Sequence, residues 1–507
     1  MRTTVAWALA AVSMAAPAAQ QDVAQTTAIV TSRHQVTVAG SPLRYTARAG
    51  TIPIRENDTG EVHANMFFVA YTLDRAPGAP PRPLTFLWNG GPGSNAGLVH
   101  LLGFGPKRIT AATGSMPRYA PSGTALVDNQ ETWLAFTDLV FVDPIGTGYS
   151  RPVKPEYAAE FYQSPGDAES VAEFIRVCRL RLDALAAPLY LMGESYGVTR
   201  ASLVAEALTR RRTKVAGVIL LSGGFPLEGE VPAPLRNALS LPIWTAAAHH
   251  HRKLGRDLQQ STMTDALRAA SAYAEGDYAK ALAGADALSP ADRAAVVAQL
   301  ERFTGLPAAQ INATSLRVTT EQMSNTLLGG GLMVGRYDSR ATGPRDTSGG
   351  PYDPTKDPSL MDILDATSVL RYLREELGYK SDLFYQGPFG GGYPPPTAFR
   401  GDWMSVRWNR TPVAPAGGRG NTPAPPTGLA AALANDADLR VFVACGYFDL
   451  LGGCYASDYA ARHLPPALAP RVTSRVYAGG HATYEDDEAR RQLHADVVKF
   501  FQAGGRK

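Results

Sequence analysis

The run Leu189-Tyr190-Leu191-Met192-Gly193-Glu194-Ser195-Tyr196-Gly197, followed by Ala201-Ser202-Leu203-Val204-Ala205-Glu206-Ala207-Leu208, decides how the rest of the chain is read. Its first residues have the length and apolar character of a strand buried on both faces, and the second segment has the composition of a helix. Between them lies Gly193-Glu194-Ser195-Tyr196-Gly197, a G-x-S-x-G pentad. A sharp strand-to-helix turn has room only for small residues, hence the glycines. It lifts the Ser195 hydroxyl above the strand end at a helix N-terminus, whose partial positive charge favours a developing oxyanion. With 49 glycines in 507 residues the pentad alone could arise by chance. The strand before it and the helix after it make it informative.

Outward from this turn the chain alternates. Segments 66–71, 84–88 and 139–142 are continuous apolar runs, 164–183 is helix-like with Ser164-Pro165 at its start, and 215–221 is another buried-strand pattern. Such alternation predicts a mostly parallel sheet with helices on both faces. From about Pro226 to Asp365 the sequence is Ala-rich, charged and helix-forming, as in Thr264-Asp265-Ala266-Leu267-Arg268-Ala269-Ala270, and predicts an inserted helical cap. Gly and Pro crowd 387–427, which predicts a long irregular surface loop. The sheet resumes at 439–444 and 474–477, and a last helix runs from about Asp486 to Phe501. The expected division is therefore an N-terminal segment 1–19, a first core part 20–225, a cap 226–365 and a second core part 366–507.

A serine hydroxyl is a weak nucleophile until a histidine takes its proton and a carboxylate orients that histidine. On a strand–turn–helix scaffold the partners follow in the order Ser, acid, His, each after a sheet strand. Of nine histidines, His463, His481 and His494 lie far enough downstream. Of these, His481 sits in a loop just after a strand, in Tyr477-Ala478-Gly479-Gly480-His481, whereas His463 and His494 fall in helical patterns. Asp449 follows the strand at 440–444 through Cys445-Gly446-Tyr447-Phe448, one strand earlier, and is the candidate acid; a surface-turn aspartate is the alternative. Asp436 and Asp438 precede that strand, at the wrong edge of the sheet. Asn89-Gly90-Gly91-Pro92-Gly93 follows the strand 84–88, where adjacent glycines let backbone N–H groups approach an oxyanion beside the N–H of Tyr196.

Together these segments resemble the serine carboxypeptidase family of the α/β-hydrolase superfamily. The anchors are Asn89-Gly90-Gly91-Pro92-Gly93, Asp143-Pro144-Ile145-Gly146-Thr147-Gly148-Tyr149-Ser150, the Ser195 pentad, Gly446-Tyr447-Phe448-Asp449 and Gly480-His481. The resemblance implies the α/β-hydrolase fold and an exopeptidase that releases a C-terminal residue through an acyl-enzyme, with Ser195 as nucleophile, His481 as base and Asp449 as orienting acid. It also implies Gly91 and Tyr196 as the oxyanion hole, and Asn89, the backbone of Gly90 and the side chain of Glu194 as a cradle for the substrate's terminal carboxylate. A glutamate can face a carboxylate if it holds a proton, because two ionised carboxyls repel, so such a site favours acidic pH. The chain departs from the family in three places. Gly103 stands where many members carry a second cradle glutamate, Ser94 replaces a cysteine after Gly-Gly-Pro-Gly, and the tryptophan normally two residues before the asparagine is shifted to Trp88.

The remaining features bound the reading. A hydrophobic content of 45%, 49 basic and 46 acidic residues and a net charge of +3 without long blocks of one sign suit a globular enzyme and offer nothing for nucleic acid to grip. Met1-Arg2, the apolar run after it and Ala16-Pro17-Ala18-Ala19 read as a signal peptide ending near Ala19, so a secreted or periplasmic protein is expected; a retained anchor is the alternative, although the run is short for a membrane span. Three cysteines are too few for a disulfide scaffold; Cys445 and Cys454 bracket a short loop and are a possible bridge, and Cys178 reads as a core residue. His249-His250-His251 is a poor metal site because consecutive residues on a helix point apart, so no metal or cofactor is expected. A peptide substrate is the expected partner. An esterase or acyltransferase on the same scaffold, or a non-catalytic binding protein, are the other readings.

Overall fold

The computed structural model describes residues 28–111, 124–227, 231–349, 352–360, 366–387, 408–409 and 427–504. The expected signal peptide 1–19 and most of the 387–427 loop lie outside the described residues. Nine strands follow one path through the main sheet: β1 (Val30–Val38), β2 (Ser41–Arg55), β3 (Val62–Leu73), β4 (Leu84–Trp88), β5 (Asp138–Val142), β6 (Leu189–Glu194), β7 (Gly217–Leu221), β8 (Arg440–Gly446) and β9 (Val472–Tyr477). Their spatial order is β1-β2-β3-β5-β4-β6-β7-β8-β9, and a two-residue strand at Arg151–Pro152 pairs off this path with β3. From β5 onward every neighbour is parallel. The β1–β2, β2–β3 and β3–β5 pairs are antiparallel. The fold is thus an α/β-hydrolase fold with a mostly parallel sheet.

Side chains along each central strand alternate between two cores. Phe86, Leu191, Val218 and Val441 pack in one, and Leu87, Met192, Ile219 and Phe442 in the other. All five residues of β4 and all five of β7 are buried, which is why these segments read as unbroken apolar runs. Each such Leu, Ile or Phe contributes about 1.5–3 kcal/mol on leaving water. One core is covered by α1 (Ser164–Arg181) and α2 (Tyr196–Arg210), the other by the C-terminal helix α6 (Asp487–Gly504). Pro165 stands in the first turn of α1, where its missing N–H costs no helical hydrogen bond.

Segment 62–73 differs from expectation in direction. It is buried on both faces like a parallel strand but pairs antiparallel on both sides, with β2 and β5, and the β1–β2 hairpin edge was not anticipated. Burial makes a strand apolar whatever its direction, so the pattern does not carry that information.

Between 233 and 326 the chain is helical, including α3 (Leu241–His250), α4 (Met263–Tyr273) and α5 (Pro290–Thr304). Leu241, Trp244, Tyr278, Leu300 and Phe303 form a third core that also takes in Cys445, Leu450 and Cys454. A short antiparallel hairpin, Leu332–Val334 with Thr342–Pro344, follows this helical region. The chain around it runs against the loops after β8 and β9, so this region touches the functional end of the sheet. No helix among the described residues is long and apolar enough to cross a membrane.

Candidate active site

The turn after β6 is as sharp as its glycines suggest. Ser195 has φ 59° and ψ −130°, an unusual conformation for a residue with a side chain, and its N–H donates to the Leu221 carbonyl at 2.9 Å. A Cβ on Gly193 would fall 1.9 Å from the Gly197 carbonyl oxygen, so no other residue fits there. Tyr196 is the first residue of α2, and its N–H is among those a helix leaves without an internal acceptor. The Trp88 indole N–H donates to the Gly197 carbonyl at 3.0 Å, which ties the end of β4 to the start of α2.

The Asn89–Gly93 loop is pressed onto this turn. A Cβ on Gly90 would lie 2.4 Å from the Tyr196 nitrogen, and Gly91 has φ 102°. Glycine is therefore required at 90 by close approach and favoured at 91 by backbone conformation. The 143–150 stretch braces the loop from the side. The Asp143 carboxylate accepts the Ala96 N–H at 2.8 Å, and Ser150 Oγ donates to the Asp143 carbonyl at 2.6 Å while accepting the Phe67 N–H at 2.7 Å.

Beneath the loop lies an ion pair. Arg200 and Asp167 are both buried, with Nε to Oδ2 at 2.8 Å, and Arg200 also donates to the Asn89 carbonyl at 2.7 Å. Replacing Arg200 with methionine strands the Asp167 charge and frees Asn89. Unfolding stability is expected to fall by about 3–5 kcal/mol, read from the denaturant midpoint. A change under about 1 kcal/mol would show that the pair carries no such weight.

Asp449 and His481 meet across 32 residues of sequence: the ring nitrogen Nδ1 lies 2.7 Å from Asp449 Oδ2. Asp449 is buried, and its Oδ1 accepts the Leu451 N–H at 2.9 Å. Burial disfavours the imidazolium, yet the charge and hydrogen bond of Asp449, aided by Glu194, outweigh it and raise the His481 pKa. Among the described residues Nε2 has no hydrogen-bond partner, so it is not bonded to Ser195 Oγ. Such contacts often tighten when substrate binds. The Cys445–Cys454 disulfide, with Cα atoms 5.5 Å apart, closes the loop that carries Asp449.

Glu194, next to the serine, is buried and its pKa is raised to about 7, chiefly by desolvation. Its Oε2 accepts from the Asn89 amide at 3.0 Å and from the Tyr484 hydroxyl at 2.5 Å. Neither Tyr484 nor Tyr337 was anticipated from the sequence. Tyr337 accepts the His481 N–H on its carbonyl at 2.6 Å and sets its ring at 88° to the imidazole. Tyr484 follows His481 by three residues, the one sequence signal that could have flagged it. The other histidines stand apart. His463 is exposed and bonds the Tyr459 carbonyl, and His494 packs on Phe136. Asp436 pairs with Lys214 at the opposite edge of the sheet. His249 and His251 bond the Ser261 and Ser339 carbonyls, while His250 packs against Phe448.

A serine on a strained strand-to-helix turn, a buried Asp–His pair after later strands and a glycine loop against the turn are arranged on an α/β-hydrolase fold. Residues 41–225 match the serine carboxypeptidase family profile. The chain is 30% identical over 178 residues to the pheromone-processing carboxypeptidase KEX1 of Arthroderma otae, covering 35% of this chain and 24% of that protein. It is 28% identical over 176 residues to the protein of the same description from Aspergillus niger, covering 34% and 26%. The chain thus matches about a quarter of the length of these curated relatives. The crystal structure of a prohormone-processing carboxypeptidase from Saccharomyces cerevisiae superposes with a TM-score of 0.51 at 14% identity, covering 90% of this chain and 91% of that one, a likeness of fold.

Proposed function

We propose that the chain is a serine carboxypeptidase that releases C-terminal residues from peptides. Ser195 Oγ attacks the last peptide carbonyl as His481 Nε2 takes its proton, and the N–H groups of Gly91 and Tyr196 hold the oxyanion. Collapse breaks the C–N bond, with the His481 proton going to the leaving amine, and leaves an ester on Ser195. A water deprotonated by His481 then opens that ester and restores the serine. Asp449 holds the imidazole in the tautomer that exposes Nε2 as base. Asn89, the Gly90 backbone and Glu194 form the cradle for the substrate's terminal carboxylate.

The observation that carries this reading is Glu194: a buried carboxyl adjoining the nucleophile, hydrogen-bonded to Asn89, with its pKa raised to about 7. An acid kept neutral near pH 7 can donate to a carboxylate, whereas general ester hydrolysis has no need of one. The test is hydrolysis of an N-blocked dipeptide with a free C-terminus against its amide and ester, from pH 4 to 8. The sign follows from the raised pKa. Glu194 is protonated below about pH 7 and ionised above it, so kcat/KM for the free acid is expected to fall as pH rises through about 7. Glu194→Gln, permanently neutral, should lack that alkaline decline. An unchanged limb in the glutamine variant would sink the cradle.

An esterase or acyltransferase is the second reading, favoured by Gly103 in place of a second acid. Rapid cleavage of the ester without cleavage of the free acid would select it. Export to the periplasm or beyond belongs to the same proposal, supported by the pattern of residues 1–19.

A further inference from the structure

Two donors from distant parts of the chain converge on one oxygen of Glu194, the Asn89 amide at 3.0 Å and the Tyr484 hydroxyl at 2.5 Å, both on Oε2. Their directions are set by their partners. Asn89 Oδ1 accepts the Val99 N–H at 3.2 Å, so the NH2 side of this amide faces the glutamate. The Tyr484 phenol meets a carboxylate oxygen, an acceptor, so its O–H is the donor to Glu194. The phenol has little freedom to move away. Tyr484 is fully buried, its ring lies at 66° to Phe104 with centroids 5.0 Å apart, and a Cβ on Gly103 would come within 3.3 Å of it. The ring thus takes the space that a side chain at position 103 would need.

A carboxyl whose Oε2 already accepts two hydrogens has Oε1 left for its own proton. We propose that Tyr484 is a positioning residue: by donating to Oε2 it confines the Glu194 proton to Oε1, so that the neutral acid offers a fixed O–H to one oxygen of the ligand. The ligand's identity as a terminal carboxylate rests on the function proposed above. The placement of the proton rests on Glu194 and its neighbours alone. Those neighbours are His481, Asp449, Tyr484 and Asn89, with Glu485 facing Tyr484 and His481.

Tyr484→Phe keeps the ring and removes the donor. In pH-difference infrared spectra, the band of the protonated Glu194 carbonyl is the one absent from Glu194→Gln. In Tyr484→Phe that band is expected at higher frequency, titrating at higher pH, because a hydrogen bond to the ionised form has been lost. KM for the N-blocked dipeptide should rise roughly tenfold, the weight of one hydrogen bond to a charged group, with kcat and hydrolysis of the matching ester unchanged. An unmoved band overturns the assignment, as does an equal loss on dipeptide and ester, or an unchanged KM in an enzyme that cleaves the dipeptide. Failure of the wild type to cleave the free acid would sink the carboxypeptidase reading instead, and the infrared shift would still decide the role of Tyr484.

Discussion

Ser195→Ala is expected to lower kcat on both the N-blocked dipeptide and its ester by a factor on the order of 10⁶, the loss seen when the nucleophile of such a triad is removed. Alanine keeps a Cβ, so the turn retains its geometry and the Leu221 hydrogen bond of its backbone, and the melting temperature should barely move. What disappears is the oxygen proposed to form the ester intermediate. A residual rate above that of water is expected, because the proposed oxyanion hole of Gly91 and Tyr196 would still hold an oxyanion formed by direct attack of water. A fluorophosphonate probe should label the wild type at Ser195 and leave the variant unlabelled. Loss of less than about tenfold in kcat would remove Ser195 from the chemistry altogether.

Asp449→Asn is expected to cost about 10⁴ in kcat at neutral pH with the fold intact. The reason lies in the second oxygen of the carboxylate. Oδ1 accepts the Leu451 N–H at 2.9 Å while Oδ2 faces His481 Nδ1 at 2.7 Å. An asparagine that keeps the Leu451 bond must turn its carbonyl to that N–H and its NH2 to the imidazole. Nδ1 then has to accept rather than donate, which moves the ring proton to Nε2 and blocks it as a base. The Asp449 charge also holds the His481 pKa up against burial, so the variant's imidazole should titrate lower, a shift that NMR of the ring protons would read. A variant with near wild-type kcat would show that Asp449 is a structural neighbour of the imidazole.

The sequence carried much of this arrangement because much of it is local. The turn around Ser195 is written in Gly193 and Gly197, since a Cβ at 193 would collide with backbone and one at 197 would crowd Trp88 and Asn89, and the apolar strand and helix-forming segment beside it are contiguous. Chain order and loop placement then singled out Asp449 and His481 among the downstream acids and histidines. The direction of 62–73 was not legible, because burial on both faces makes the same apolar pattern in either direction.

The sequence by itself determined the elements: which runs are strands, where the turn glycines must be, and the order in which serine, aspartate and histidine arrive. The tertiary structure alone decided which side chains meet. Tyr484 reaches Glu194 across 290 residues, Arg200 reaches the Asn89 carbonyl across 111, and Tyr337 receives the His481 N–H from a segment beside the helical region. Periodicity and spacing report on neighbours along the chain, whereas these contacts exist because parallel strands bring their ends to one edge of the sheet, and no local pattern records them.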